Sequence, residues 1–244
     1  MTLSPQEKAA RRAAFREMSA AKKREHIWEY YKWPILLGLL ALLVLGSIVR
    51  EQLSRREPML YLAFANVSVG EELESALTDG FLESVGADLR RREVSLYADL
   101  YLSEDADQLN HQYAYASRIK LMGALASRKL DLVLMNREGY DFLSRQGYLQ
   151  ELAPALFQSE PALYEALLPT LTENEVVLSD NSVEYQLGNA ASLEIVTERV
   201  SNGLNVSALP LFRAAGFDGE VYLGLLANSP RPDAVLGYLN YLFS

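Results

Sequence analysis

Residues 131–152 read DLVLMNREGYDFLSRQGYLQEL. Asp131–Asn136 is a short apolar run and reads as a strand buried on both faces. Arg137–Gln146 reads as a short helix, ended by Gly147, the residue type best suited to the left-handed turn that closes a helix. The same alternation extends upstream. Met59–Val67 (MLYLAFANV) is a nearly continuous apolar run and a further buried strand. Glu71–Val85 carries Leu73, Leu77, Phe81 and Leu82 at helical spacing, with Glu71, Glu72 and Glu74 in the first turn, where they complement the helix dipole. Val94–Leu102 (VSLYADLYL) is another strand, and Asp107–Leu130 a long helix with Tyr115, Ile119, Met122 and Leu125 along it. The order β-α-β-α-β-α predicts an α/β domain with a mainly parallel sheet and helices on its faces.

Downstream, residues 148–204 are less regular. They hold Pro154, Pro161 and Pro169, two short helical pieces, and strands expected at Val183–Leu187 and Ser192–Thr197. Gly188-Asn189 between those strands is a turn signal and predicts a hairpin. Val221–Ala227 (VYLGLLA) reads as a last buried strand, Asn228-Ser229-Pro230 as a turn, and Pro232–Phe243 as a closing helix.

Upstream the character changes. Trp33–Val49 (WPILLGLLALLVLGSIV) has no charge in seventeen positions, at the lower limit of the ~17–25 residues that cross a bilayer. Trp28, Tyr30, Tyr31 and Trp33 would lie at headgroup depth, where an aromatic ring and its polar edge are both accommodated. The competing readings are a buried helix of a soluble protein, which would need apolar neighbours on every side, and a cleaved signal peptide. The signal peptide would need an n-region longer than thirty residues, and no A-x-A-like site follows the run. Eight Lys/Arg precede the run, so the positive-inside rule puts the N-terminus in the cytoplasm and the C-terminal domain outside, in contact with the cell membrane through a single pass. The expected organisation is a cytoplasmic basic helix over 1–32, a transmembrane helix over 33–50, a linker over 51–57 and an extracytoplasmic α/β domain over 58–244. Within that domain, 58–152 form a main lobe, 153–204 a small lobe or insertion, and 205–244 a return to the main lobe. Ser4-Pro5-Gln6-Glu7 is a good helix start, with a cap, a proline at the first position and an acid to close a capping box. That helix is either a docking element, a basic surface on anionic lipid, or a topology signal with a solvated helix, the last being the simplest.

Charge follows the same division. Residues 1–50 hold nine Lys/Arg and four acids, net +5; the remainder holds 23 − 9 = 14 bases and 32 − 4 = 28 acids, net −14. A domain this acidic is a poor partner for nucleic acid, whose phosphates need a basic face. The absence of cysteine excludes disulfides, thiolate metal sites and cysteine nucleophiles.

The Asp131–Met135 strand, the helix after it and the return Gly147-Tyr148-Leu149-Gln150-Glu151-Leu152 resemble the type 2 extracellular solute-binding proteins of bacterial ABC importers, where a DVVLM-type strand precedes a short helix and a G-x-L-x-x-L return. The final stretch VYLGLLANSPRPDAVLGYLNYLF is similar to them as well, with a strand, an Asn-Ser turn and a helix ending in an aromatic-Leu pair. EHIWEYYKWPILL looks like the anchor of single-span bacterial envelope proteins. The resemblance implies a membrane-tethered, non-catalytic domain of periplasmic-binding-protein fold that binds a small solute or peptide, with a permease as partner. The stretch before the return at Val221 is short, which implies a reduced second lobe. The rival is a structural or assembly component of an envelope complex without a small-molecule ligand.

Catalytic and metal signatures are sparse. His111 is the one histidine after the apolar run, and neither a G-x-S-x-G elbow nor a phosphate loop occurs, so no enzyme is expected. Glu104, Asp105 and Asp107 lack the spacing and glycine of a calcium loop and read as helix-start acids, so neither metal nor cofactor is expected. Arg90-Arg91-Arg92 reads as a solvated turn or, if that edge faces the bilayer, a contact with lipid phosphate. Ligands of open α/β sheets bind beyond the carboxyl ends of the strands. Those ends offer Asn66, Ser68, Tyr101, Ser103, Asn136 and Arg137 as candidate ligand-binding residues.

Overall fold

The computed structural model describes residues 6, 19–54, 56–103, 111–189 and 191–244, with side chains in the first helix described at 28, 32–47 and 50. Ser4, Pro5 and Glu7 of the proposed cap and the acids Glu104, Asp105 and Asp107 lie outside the described residues, as do the side chains of Tyr30, Tyr31 and His111. Met1–Arg55 and Arg56–Ser244 are separate units.

In the first unit, α1 (Ala20–Ser54) is 35 residues long, about 50 Å at ~1.5 Å per residue. Pro34 lies inside it, and residues 51–54, expected in a linker, are helical. Trp28 and Trp33 are exposed, as are the leucines from Leu36 to Leu45. Among the described residues no helix is long and apolar enough to cross a membrane.

The second unit is built on one six-stranded sheet in the order β2-β1-β3-β6-β5-β4. The strands are β1 (Glu57–Ala65), β2 (Arg92–Leu100), β3 (Leu132–Met135), β4 (Leu171–Asp180), β5 (Ile195–Asn205) and β6 (Tyr222–Leu225). The helices are α2 (Glu71–Ser84, with a π turn over Ala76–Gly80), α3 (His111–Ala126), α4 (Arg137–Arg145), α5 (Pro161–Leu167), α6 (Ser182–Gln186), α7 (Pro210–Ala215) and α8 (Pro232–Phe243). Side chains alternate across the sheet. Leu60, Leu62, Phe64, Leu132 and Leu134 join a core with Phe81 of α2, Phe212 of α7 and Tyr238 of α8. Ala63, Ala65, Val133 and Met135 join a second core with Leu121 and Leu125 of α3 and Tyr140 and Leu143 of α4. Both faces are covered, which explains why β1 and β3 read as continuous apolar runs.

The sheet is mixed, which corrects the expectation of a mainly parallel one. β1 pairs in parallel with β2 and β3, but β3–β6, β6–β5 and β5–β4 are antiparallel. The stretch expected to form a reduced second lobe supplies β4 and most of β5, and both enter this same sheet. The expected hairpin at Val183–Leu187 and Ser192–Thr197 is also corrected. Val183 and Tyr185 lie in α6, and the hairpin is a longer ribbon of Leu171–Asp180 against Ile195–Asn205. Of the four residues read along α3, Tyr115, Ile119 and Met122 are exposed, whereas Leu125 is buried with Ser117, Leu121 and Ala124.

Two tyrosines of α8 bond to the π turn in α2. A π turn leaves helix carbonyls without their usual donors. Tyr238 Oη donates to Leu77 O at 2.9 Å and Tyr241 Oη to Ala76 O at 2.8 Å. The closing helix thus bonds to two carbonyls of the π turn.

Candidate functional site

β1 leads to β2 on one side and β3 lies on the other, so the parallel part of the sheet has its topological switch point between β1 and β3. An open groove of about 500 Å³ lies there. Asn66 and Ser68 after β1, Asn136 after β3, and the turn from Ala215 to Val221 that leads into β6 line it. β6 runs antiparallel to β3, so its start meets the carboxyl ends of its neighbours.

Three of the six residues predicted from strand ends therefore converge. Asn66 has a left-handed backbone (φ 57°), a conformation asparagine tolerates better than most residues. Its Nδ2 donates to Leu102 O at 2.6 Å, and its Oδ1 accepts from Leu102 N at 2.7 Å. The amide is thus committed to holding the chain after β2. Asn136 caps α4, with Oδ1 accepting from Gly139 N at 2.9 Å. Ser68 is exposed at the rim.

The other three do not line the groove. Tyr101 packs its ring 6.3 Å from that of Tyr113, and Ser103 is buried with its carbonyl accepting from Arg118 Nη2. Arg137 follows the cap, pairs with Asp141 at 2.9 Å, and stacks over the rings of Tyr140 and Tyr222 at 5.6 and 5.8 Å. Its hydrogen bond with Tyr222, and the charge of Asp141, raise its pKa above the usual guanidinium value.

Strand-end reasoning missed the acidic wall formed by Asp218 and Glu220. Glu220 is held from two sides, by the Tyr222 hydroxyl on Oε2 and by Asn205 Nδ2 on Oε1 at 3.1 Å. The signal available in the sequence was Gly216-Phe217-Asp218-Gly219, whose first glycine takes a left-handed backbone (φ 68°) to close α7. Among the described residues that line it, the groove offers carboxylates and no cationic side chain, so these residues suit a donor-rich or cationic partner and oppose an anion.

Below the groove, Tyr140 anchors α4 to the ribbon. Its ring stacks on Tyr222 at 4.8 Å, and its hydroxyl lies 2.8 Å from Thr172 O and 2.9 Å from Asn202 Oδ1. Asn202 Nδ2 donates to Ser144 Oγ at 2.8 Å, which donates to Glu175 O at 2.9 Å. Tyr140, Asn202 and Ser144 are fully buried, and the chain of bonds leaves each of them partnered, as a buried polar group requires.

No family model, curated protein or solved structure matches the chain. Among the described residues, no three acidic or histidine side chains gather in a way that would hold a metal ion.

The buried tyrosines have a consequence at high pH. Burial raises the hydroxyl pKa of Tyr140, Tyr238 and Tyr241 above the usual phenol value, and burial with the bond to Glu220 raises that of Tyr222. Below about pH 10 these groups are neutral in both states. Above it the unfolded chain loses their protons and the folded one keeps them, so stability falls as pH rises. We expect tyrosinate absorbance and loss of circular dichroism to rise together in one cooperative step above about pH 10. Smooth titration of all tyrosines with the fold retained would contradict this.

Proposed function

We propose that the chain is a membrane-tethered, non-catalytic docking protein, whose domain Arg56–Ser244 presents a surface to a protein partner in an envelope complex. The observation that carries this reading is the openness of the groove. Small-solute sites bury roughly 70–90% of their ligand. A groove at the switch point of one sheet, with its Asn66 amide already bonded to backbone and an acidic wall open to solvent, suits an extended or folded polypeptide better than an enclosed solute. A peptide-binding reading, closer to the solute-binding-protein resemblance, is supported by the same placement at the carboxyl ends of β1 and β3.

The tether reading is supported by the exposed apolar side chains of α1, from Ile35 to Leu45, and by the uncharged run to Val49 within a continuous helix. Such a surface is costly in water, at about 25 cal/mol per Å². Arginine near a span centre costs about 3 kcal/mol per residue. Full-length chain is therefore expected in the membrane fraction, with the acidic domain cleaved by protease added to intact cells. Leu40→Arg combined with Leu43→Arg should release the chain to the soluble fraction. In a thermal-shift screen of the detergent-solubilised chain, amino acids, sugars and short peptides should leave Tm unchanged. A single solute that raises Tm by mass action would overturn the docking reading in favour of solute binding.

A further inference from the structure

Among the described residues outside α1, the exposed large apolar side chains fall into two stretches, with Val85 and Leu168 as the exceptions. One stretch is the far end of the β4–β5 ribbon with α6, where Leu178, Val183, Leu187, Leu193 and Val196 are each more than half exposed. The other is α3, where Tyr115, Ile119 and Met122, spaced four and three residues apart, share one face and are likewise at least half exposed.

These two surfaces carry opposite charge. Residues 178–198 include Asp180, Glu184, Glu194 and Glu198 and no Lys or Arg. Residues 111–130 include Arg118, Lys120, Arg128 and Lys129 and no Asp or Glu. Lys120, Arg128 and Lys129 are exposed. In a domain as acidic as this one, α3 is the place among the described residues where exposed apolar side chains and several bases occur together. The ribbon end is also ordered in advance. Asn181 Nδ2 donates to Ser192 O at 2.9 Å, its Oδ1 accepts from Glu194 N at 2.7 Å, and Asp180 Oδ1 accepts from Ser182 N at 2.8 Å. A surface already held in shape loses little entropy on docking.

We propose that the ribbon end of one molecule docks on the α3 face of a second copy of this chain. The occupant follows from the charges. Ribbon against ribbon sets four acids against four, and helix against helix sets bases against bases, so both like pairings are repelled. Ribbon against helix joins two apolar stretches with opposite charges around them. An anionic lipid surface would repel the ribbon as another ribbon does. Such a contact joins unlike surfaces, residue i meeting residue j rather than itself. The inference rests on the docking reading above and names the partner as the chain itself, with tethering to one bilayer raising the local concentration of copies.

The chain has no cysteine, so introduced thiols report without background. Leu187→Cys and Ile119→Cys variants of the full-length chain, carrying different tags, are co-expressed and treated in isolated membranes with a short bismaleimide. A covalent dimer carrying both tags is expected from the pair, and background levels from either variant expressed alone. Glu184→Lys with Glu194→Lys in the ribbon copy should reduce the dimer to background. Adding Lys120→Glu with Lys129→Glu to the helix copy should restore it. These positions are exposed, so folding is retained and is checked by circular dichroism. Equal cross-linking of Leu187→Cys to itself, cross-linking of it to a different protein, or no dimer from the folded, membrane-bound pair would each overturn the self-association. The last two results leave the docking reading standing, whereas a chain absent from the membrane fraction would overturn the tethered reading itself.

Discussion

Asp131→Ala is expected to cost about 4 kcal/mol, the loss typical of breaking a buried charge pair. The Asp131 side chain is fully buried immediately before β3. Its Oδ2 accepts from Tyr61 N at 2.8 Å and from Arg231 Nε at 2.8 Å, and its Oδ1 accepts from Ser229 Oγ at 2.5 Å. Arg231 also donates to Arg128 O at 2.8 Å and stacks over the Tyr61 ring at 4.5 Å. One carboxylate therefore holds β1, β3 and the turn before α8 in register. Its removal leaves a backbone N–H and a guanidinium that is only a quarter exposed without their acceptor. With a urea slope of about 2 kcal/mol/M, the midpoint should fall by about 2 M. Arg231→Met should also destabilise, since it leaves the carboxylate buried without its counter-charge. The double change Asp131→Leu with Arg231→Met should cost clearly less than the two single losses together, as expected when both charges leave the interior. A midpoint unchanged by Asp131→Ala would show that the turn before α8 is not held by this pair.

Gly203→Ala is expected to cost about 2–3 kcal/mol, at the upper end of the usual penalty for overfilling a packed core. A methyl there would lie 2.6–2.7 Å from three atoms of the Tyr140 ring and hydroxyl. The ring cannot move aside cheaply. Tyr222 stacks on it, and its hydroxyl is held by Thr172 O and Asn202. The position lies in β5, so the methyl gains nothing that offsets the clash. Tyr140→Leu should itself destabilise by opening the site, yet Gly203→Ala introduced on top of it should cost little or nothing. That non-additivity separates a steric conflict from a general loss of strand propensity, which would persist in both backgrounds. Denaturant unfolding of the four proteins measures the coupling.

Most of the first half of the domain was legible from side-chain pattern. β1 and β3 are covered on both faces, so their residues had to be apolar without interruption, and Pro232–Phe243 was read with its observed ends because proline opens it. The ribbon was not legible for the opposite reason. Half of β4 and β5 projects beyond β6, where neither face is buried, so no alternation of apolar and polar residues marks it. Val183–Leu187 was read as a strand beside the Gly188-Asn189 turn signal, but Asn181 bonds to both ends of Ser192–Glu194 and closes a turn in which one short helix fits. On α3 the residues read along the helix were Tyr115, Ile119, Met122 and Leu125. Of that row only Leu125 reaches the core, where it joins Ser117, Leu121 and Ala124 on the buried face. At the groove, Asn66, Ser68 and Asn136 were found from the rule on strand ends, and Asp218 and Glu220 were not, because they arrive from a strand of opposite direction.

Local sequence was enough for what depends on neighbours in the chain: which segments are strands with two covered faces, where glycine and proline end helices, and how charge divides between the first fifty residues and the rest. Tertiary structure alone decided that β6 enters the sheet antiparallel beside β3, that the ribbon extends the same sheet, and that Asp131 meets Arg231 across 100 residues. The physical reason is that periodicity records whether a side chain is buried but not against what. Strand direction, long-range ion pairs and the identity of a groove's far wall are settled only when distant segments compete for the same layer.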